Sequence, residues 1–366
     1  MKFTVNREKL AKALQKVSSI IGSRSMVPVL SNILVECRDN TLKLDSTDLE
    51  MRISTTIECV TEVEGITTIP AKKFSALVSR FSADEISFDI DENDHVKIEC
   101  GTGRFTLLGL SADEFPGAVD IVVRKTIKVE ETVFKAMLNS ITYAVSPDDS
   151  RKYLTGILLA TQGNMLTMVA TDGKRLALNE RTVEAINGDD GECIVPLKAA
   201  NEARRMIDGG DYVEIQIGEK QCRFIGQNYT LTSKLIDGNY PNFRQVIPAE
   251  FKRVVEVPTE PLLQKIEMVS QVLSESSSYV VLSFADNTLT IKGSSSEVGE
   301  GSDSVSIEYE LDPIDVSFNP GFLADPLKVV GIPSVTIKMN DPFNQVAIEG
   351  ANGFIYVIMP IRKNHN

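Results

Sequence analysis

Apolar positions along this chain follow two periods, one of strands and one of helices, and the order in which they alternate recurs three times. Glu85-Ile86-Ser87-Phe88-Asp89-Ile90, Tyr212-Val213-Glu214-Ile215-Gln216-Ile217 and Ser334-Val335-Thr336-Ile337-Lys338-Met339 alternate polar and apolar residues, as a half-buried strand does. Val96-Lys97-Ile98-Glu99-Cys100 does the same. From residue 7 onward Leu10, Leu14, Val17 and Ile21 return at helical spacing, with Lys9, Lys12 and Lys16 grouped on another face. A second helix is predicted after Pro70, with Phe74, Leu77 and Val78 as its apolar side, because the fixed φ of proline suits a first turn. Pro196 and Pro320 open its counterparts.

Hairpin-turn signals mark the period. Asp39-Asn40-Thr41-Leu42, Gly163-Asn164-Met165-Leu166 and Asp286-Asn287-Thr288-Leu289 place their Asn residues 124 and then 123 positions apart. A period this long means tandem domains, since solenoid repeats are far shorter. The predicted fold class is α+β, with three tandem similar domains, each two helices packed on antiparallel sheet, at residues 1–121, 122–250 and 251–366. The links at residues 119–128 and 248–258 are short, so the domains are expected to dock. Residues 293–303, rich in Ser, Gly and Glu, read as a mobile surface loop.

The 366 residues are 42% hydrophobic and 24% charged, a globular profile. No apolar run approaches the roughly 18 residues of a membrane helix, and the N-terminus lacks a leader pattern, so a cytoplasmic protein is expected. Five scattered cysteines, none in a Cys-x-x-Cys pair, suit reduced thiols. The net charge of −13 argues against a nucleic-acid partner until its distribution is considered. The six helix-like windows 7–21, 71–81, 130–145, 197–208, 259–274 and 320–331 hold 13 Lys/Arg against 8 Asp/Glu, a basic minority on an acidic body.

Catalytic chemistry has little to build on. Of the two histidines, His365 lies in a polar tail and His95 stands alone. Asp89, Asp91, Asn93 and Asp94 imitate a calcium loop but lack its Gly and its final Glu, and a polar turn is the simpler reading. Gly101-Thr102-Gly103-Arg104 is most simply a turn, having no helix after it to complete a phosphate-binding fingerprint. Asp148-Asp149 leaves a metal-dependent phosphohydrolase or nuclease as one alternative, and a peptide scaffold without a DNA role as another. No cofactor and no metal are expected.

Several local sequences, in order and correctly spaced, resemble the bacterial sliding clamps, the beta subunits of DNA polymerase III. These are Met1-Lys2-Phe3-Thr4-Val5, Ser46-Thr47-Asp48-Leu49-Glu50-Met51, Tyr153-Leu154-Thr155-Gly156, Ala170-Thr171-Asp172-Gly173-Lys174-Arg175-Leu176-Ala177, Thr232-Ser233-Lys234-Leu235-Ile236-Asp237-Gly238, Tyr240-Pro241 and Tyr356-Val357-Ile358-Met359-Pro360-Ile361-Arg362. The resemblance covers the full length. It implies the DNA clamp fold and a head-to-tail homodimer closing into a ring around duplex DNA, a non-enzymatic processivity factor. Implied partners are the replicative polymerase catalytic subunit, the clamp loader, and other polymerases and repair proteins that bind through short linear peptides.

By the same resemblance, DNA contacts are expected at Lys9, Lys12, Lys16, Arg24, Lys72, Arg151, Lys152, Tyr153, Lys198, Arg204 and Arg205. A peptide groove is expected from Leu154, Thr171, Gly173, Lys174, Arg175, Leu176, Pro241, Val246, Asn319, Phe322, Val346, Val357, Met359, Pro360, Ile361 and Arg362, although Leu176, Val246 and Val357 taken alone read as strand-core residues. Lys174 stands where His is frequent in the family, Gln245 where Arg is frequent and Ser277 where an aromatic occurs, and Lys363 to Asn366 prolong the terminus. At the ring joint, Phe105 and Leu107 are expected to meet Val272 and Leu273 of another chain, with Lys73 facing Glu297 or Glu300.

Overall fold

The computed structural model describes residues 1–22, 26–274 and 279–362. The chain divides into two compact units, one of Met1–Thr132, Glu184–Asp189 and Lys198–Leu235, the other of Val133–Val183, Asp190–Leu197 and Ile236–Asn366. Six α-helices occur among the described residues: α1 (Arg7–Val17), α2 (Ala71–Val78), α3 (Glu131–Ile141), α4 (Leu197–Met206), α5 (Thr259–Val269) and α6 (Pro320–Val329). All strand pairing between them and around them is antiparallel.

In the first unit, a five-stranded sheet runs in the order Val60–Val63, Lys2–Asn6, Glu85–Ile90, His95–Cys100, Gly103–Leu108. A nine-stranded sheet runs Ala185–Asn187, Lys125–Glu130, Tyr212–Ile217, Gln221–Ile225, Tyr229–Lys234, Met51–Glu58, Thr41–Thr47, Asn32–Arg38, Gly65–Pro70. Helix α1 buries Leu10, Ala13, Leu14 and Val17 and packs on α2 and on Met51–Glu58. The expected fourth position, Ile21, is only half-buried. The helix tightens to a 3-10 turn at Ser18–Ile20, and with fewer residues per turn Ile20, three positions after Val17, comes inward instead. Phe74 of α2 meets Phe88 edge-on at 5.8 Å, and Phe3 stacks on the same ring at 4.7 Å. Fully burying each of these side chains contributes about 1.5–3 kcal/mol.

The second unit holds an eight-stranded sheet in the order Gly191–Pro196, Gly156–Gln162, Met165–Thr171, Arg175–Thr182, Phe354–Ile358, Val346–Glu349, Ser334–Met339, Arg253–Pro258. A four-stranded sheet runs Gly299–Ser306, Thr288–Ser295, Val280–Ala285, Ile314–Phe318. Helix α5 packs on α6 and on the Gly299–Ser306 and Thr288–Ser295 hairpin.

The repeat extends to individual hydrogen bonds. Asp39, Asn40, Asp286 and Asn287 take φ near +50°, as a two-residue hairpin turn requires, and Gly163 takes +55° in the middle copy. In all three copies the turn Asn carbonyl then accepts from a later backbone N–H: Cys59 to Asn40 at 2.9 Å, Val183 to Asn164 at 3.0 Å and Ile307 to Asn287 at 3.0 Å. A second turn also recurs. Thr47 Oγ1 donates to the Met51 carbonyl at 2.8 Å while Asp48 Oδ1 accepts from Glu50 and Met51. Thr171 Oγ1 likewise donates to the Arg175 carbonyl at 2.5 Å while Asp172 Oδ1 accepts from Lys174 and Arg175.

Two further expectations fail. Residues 293–303 are not a mobile loop but part of a regular hairpin, with Lys292 opposite Ser302 and Gly293 opposite Gly301. The glycines serve packing: a Cβ on Gly293 would lie 2.9 Å from Val269 Cγ1, and one on Gly301 would lie 3.2 Å from Val272 Cγ2. The links 119–128 and 248–258 run into strand, at Lys125–Glu130 and Arg253–Pro258, which pair with Tyr212–Ile217 and Ser334–Met339 and lead directly into α3 and α5. Val246 lies on the 3-10 turn Phe243–Val246, half-buried, rather than in a strand core.

Gly293→Ala is therefore expected to lower stability to urea by about 1–3 kcal/mol through overpacking, whereas Gly163→Asn, facing open space in a conformation Asn tolerates, stays within about 0.5 kcal/mol. Equal effects of the two substitutions would contradict close packing of α5 on this hairpin.

Candidate functional site

The basic helices of the first unit are where the charge pattern predicts, and most of their cations are already paired. Lys9 Nζ meets Glu58 at 2.6 Å, Lys12 meets Glu8 at 2.8 Å, Lys198 meets Asp48 at 2.6 Å, and Lys16 pairs with Asp208. The bond from Lys12 holds the Glu8 carboxyl below its ordinary range, and the bond from Lys9 does the same to Glu58. The Lys9–Glu58 and Lys12–Glu8 pairs are exposed on both sides and contribute little to stability, whereas Lys16 is mostly covered in its pair with Asp208. Lys9, Lys12, Lys16 and Arg205 line one cleft of about 690 Å3 with Thr41, Thr55, Thr56 and Asn228.

Arg205 has a structural task that the sequence did not indicate. Its guanidinium donates to the carbonyls of Gln15 (3.2 Å) and Lys16 (2.7 Å) and to Ser19 Oγ (2.6 Å), and it pairs with Glu202. A cation at the last turn of α1 complements the helix dipole and ties α4 to α1. Lys72 is exposed on α2, and Arg204 is half-buried on α4. Arg24 lies outside the described residues.

The second site lies in the other unit. A cavity of about 180 Å3 is lined by Leu154, Thr171, Gly173, Lys174, Arg175, Leu176, Pro241, Val246, Val357 and Met359 from the expected set. Phe243, Arg151 and Tyr153 complete its wall. Phe243 was missed, although it lies just beyond the Tyr240-Pro241 signal. Arg151 and Tyr153, expected only against DNA, belong to the 3-10 segment Asp149–Leu154, beside which Gly173 (φ +87°) and Gly238 (φ +137°) leave room. Lys152, on the same segment, is exposed. The floor is apolar: Leu154, Leu176, Val357 and Phe243 belong to one buried cluster with Leu158, Val169, Leu178 and Tyr240. Leu176 and Val357 are thus core residues and cavity lining at once.

Arg175 organises the remainder. Its Nε donates to Asp172 Oδ2 at 3.1 Å, Nη2 donates to the Tyr143 carbonyl at 2.7 Å, and Nη1 pairs with Asp325 of α6. Its carbon lies 4.2 Å from the Phe322 ring centroid. Burial opposes its charge, yet the Asp325 bond holds the guanidinium above its ordinary value. Burial also pushes the Tyr143 and Tyr356 phenols up. Asn319 caps α6 by accepting from Phe322 N at 3.1 Å, and the Phe322 carbonyl accepts from Tyr356 Oη at 2.7 Å. Asn319, Phe322, Val346, Pro360, Ile361 and Arg362 do not line the cavity. Val346 and Pro360 are buried, and Met359 N bonds the Lys174 carbonyl at 3.0 Å while Ile361 N bonds that of Ser317 at 2.8 Å.

Of the expected joint residues, Phe105 (41% exposed) and Leu107 lie on the edge strand Gly103–Leu108, and Lys73 is exposed on α2. Val272 and Leu273 flank the end of the 3-10 turn Ser270–Val272, against Gly301 and Gly293 respectively. Ser277 and Lys363 to Asn366 lie outside the described residues.

The catalytic alternatives gain no geometry. Asp148 caps the Asp149–Leu154 segment, accepting from Ser150 N at 2.9 Å, and that bond holds its carboxyl below the usual range. Asp91 accepts from His95 N and Asn93 N in a turn. Among the described residues no group of three or more His, Cys, Asp or Glu converges as a metal site would require.

Arg175→Ala would strand the Asp325 carboxylate and the Tyr143 carbonyl, and a loss of about 3 kcal/mol in unfolding free energy is expected. Arg175→Lys is expected to recover less than half of it, because an ammonium cannot fork between those partners or stack on Phe322. Full recovery by lysine would show that charge alone matters there.

Comparison with known proteins gives the same assignment along the whole chain. The family models for the DNA polymerase III beta subunit match residues 1–120 (N-terminal domain), 128–242 (central domain) and 244–362 (C-terminal domain). The beta sliding clamp of Salmonella typhimurium is 33% identical, with 99% of this chain and 100% of the relative covered. The solved sliding clamp of Pseudomonas aeruginosa bound to griselimycin superposes with a TM-score of 0.95 at 29% identity, covering 99% of this chain and 100% of that one. The C. crescentus beta sliding clamp, solved with PEG bound to a region proposed for beta-motif tethering, gives 0.92 at 29% identity, over 99% of this chain and 100% of that one. Sheet order, repeat and comparisons together make the chain a member of the DNA polymerase III beta subunit family.

Proposed function

We propose that the chain is a sliding clamp, a non-catalytic processivity subunit that closes head to tail with a second copy around duplex DNA. The observation that carries this is a joining rule used twice. In the first unit Tyr229–Lys234, the last strand of the middle repeat, pairs with Met51–Glu58, the third hairpin strand of the first, with Tyr229 opposite Thr55. In the second unit Phe354–Ile358, the last strand of the final repeat, pairs with Arg175–Thr182, the corresponding strand of the middle one, with Ile358 opposite Arg175. One strand of each kind is left over: Gly103–Leu108 pairs only with His95–Cys100, and Gly299–Ser306 only with Thr288–Ser295. A second copy offers the missing edge to each, a heterologous contact that forms a ring if its rotation closes. The resemblance-based pairing of Phe105 and Leu107 with Val272 and Leu273 belongs to this joint.

Duplex DNA would be held by phosphate contacts from the helix lysines, which carry no sequence information and permit sliding. The three repeats would be domains at 1–121, 122–250 and 251–366. The apolar cavity of the second unit would take short linear peptides of the replicative polymerase, the clamp loader and other DNA-processing proteins, with an apolar floor and few polar groups as such anchors require. The bacterial cytoplasm is the expected setting.

Topological binding has a direct test. Protein loaded on nicked circular DNA is expected to persist in high salt and to be lost once the circle is cut. Loss at one rate from circular and linear DNA would sink the encircling function.

A further inference from the structure

Two cysteines that lie apart in the sequence meet in the fold. Cys37 Sγ is 3.7 Å from Cys59 Sγ, both thiols are free, and both side chains are buried in the first unit. Cys37 sits in the strand Asn32–Arg38, with Gly65 opposite it on one side and Leu42 on the other. Cys59 is the single residue between Met51–Glu58, in the nine-stranded sheet, and Val60–Val63, the edge strand of the five-stranded one. The Thr61 hydroxyl touches both sulfurs, at 3.2 Å from Cys37 Sγ and 3.6 Å from Cys59 Sγ. Packing does not require sulfur at these places. The residue whose N–H bonds the turn Asn carbonyl is Cys59 in the first copy but Val183 and Ile307 in the others. The residue three positions before that Asn is Cys37 in the first copy but Thr161 and Phe284 in the others.

We infer that Cys37 and Cys59 form a redox pair, a modification site at which a small hydroperoxide converts two thiols into one internal disulfide. A disulfide bond is about 2.05 Å long, so the sulfurs have roughly 1.7 Å to travel. The edge strand beside Cys59 can yield that distance, because it pairs only with Lys2–Asn6 and its register already shifts between Lys2 and Phe3. Cys59 keeps 8% of its surface exposed against 1% for Cys37, so the peroxide meets Cys59 first. Burial pushes the Cys37 thiol above its ordinary value, which suits the second, resolving role. In the first step the Cys59 thiolate attacks one peroxide oxygen and the O–O bond breaks. The leaving hydroxide departs as water with the proton that Cys59 gave up, and Cys59 becomes a sulfenic acid. The Cys37 sulfur then attacks the Cys59 sulfur, the S–O bond breaks, and the second hydroxide departs as water with the Cys37 proton. The two sulfurs together lose two electrons and the peroxide gains them. The new bond closes a span of 22 positions and staples the chain where it crosses from one sheet of the first unit to the other. Two equivalents of a small thiol reverse it by exchange and leave as their own disulfide.

Thiol counting and peptide mapping on the full chain test this. Reduced protein is treated with a small excess of hydrogen peroxide, quenched, denatured in an alkylating reagent and digested without reductant. The count of free thiols is expected to fall from five to three, with one linked peptide pair joining Cys37 to Cys59. Dithiothreitol is expected to restore all five. Cys59→Ser is expected to abolish the link, and the mapping of the unaltered protein stands whether or not that variant folds. Retention of all five thiols overturns the inference. So does a link between any other pair, or oxidation that stops at a sulfinic acid on one cysteine with no link formed.

Discussion

A strand edge is a row of unsatisfied N–H and C=O groups, and this architecture is organised by where those rows are paired and where they are left open. Two joints are made by adding the last strand of one repeat to the third hairpin strand of the one before, giving sheets of nine and eight strands where a single repeat would supply about half as many. Backbone pairing of this kind is indifferent to side chains, which explains how repeats of divergent sequence keep a common joint. It is also directional. A chain built this way ends with one edge of each kind, so its natural complement is another copy of itself.

The apolar cavity of the second unit is built at one of those joints. The Arg175–Thr182 and Phe354–Ile358 pair that extends the eight-stranded sheet also brings Leu176 and Val357 side by side as the cavity floor. The Thr-Asp turn that precedes the strand is the same device in both units, yet its polar groups are spent differently. In the first unit Asp48 and Glu50 engage lysines, whereas in the second Arg175 draws Asp172 and Asp325 inward, stacks on Phe322 and leaves Lys174 at the rim. A change of three residues in one turn thus separates a plain joint from one that borders an apolar cavity.

Much of this was legible in the chain because it depends on local chemistry. Turn residues with positive φ, alternating strands and the Leu10, Leu14 and Val17 stripe report short-range geometry, and each is where the patterns place it. What the chain withheld depends on distant partners. The glycines of residues 293–303 look like a loop until α5 is seen lying on them. Arg205 looks like a solvent-facing cation until the C-terminal carbonyls of α1 are found beneath it. Phe243, Arg151 and Tyr153 reach the cavity from segments whose own sequence carries no period. The six helices also differ more than a count of charges suggested, since most of the lysines expected to face DNA already have carboxylate neighbours.

The central claim is that the two edges left over by this joining rule, Gly103–Leu108 and Gly299–Ser306, satisfy each other between two copies of the chain. Sedimentation equilibrium on the purified protein at micromolar concentration measures this most directly. The expected result is a single closed species of twice the 40.2 kDa chain mass, reduced toward one chain by a proline placed at Thr106 in the edge strand. A stable single-chain mass for the unaltered protein, or an open series of growing polymers, would contradict it.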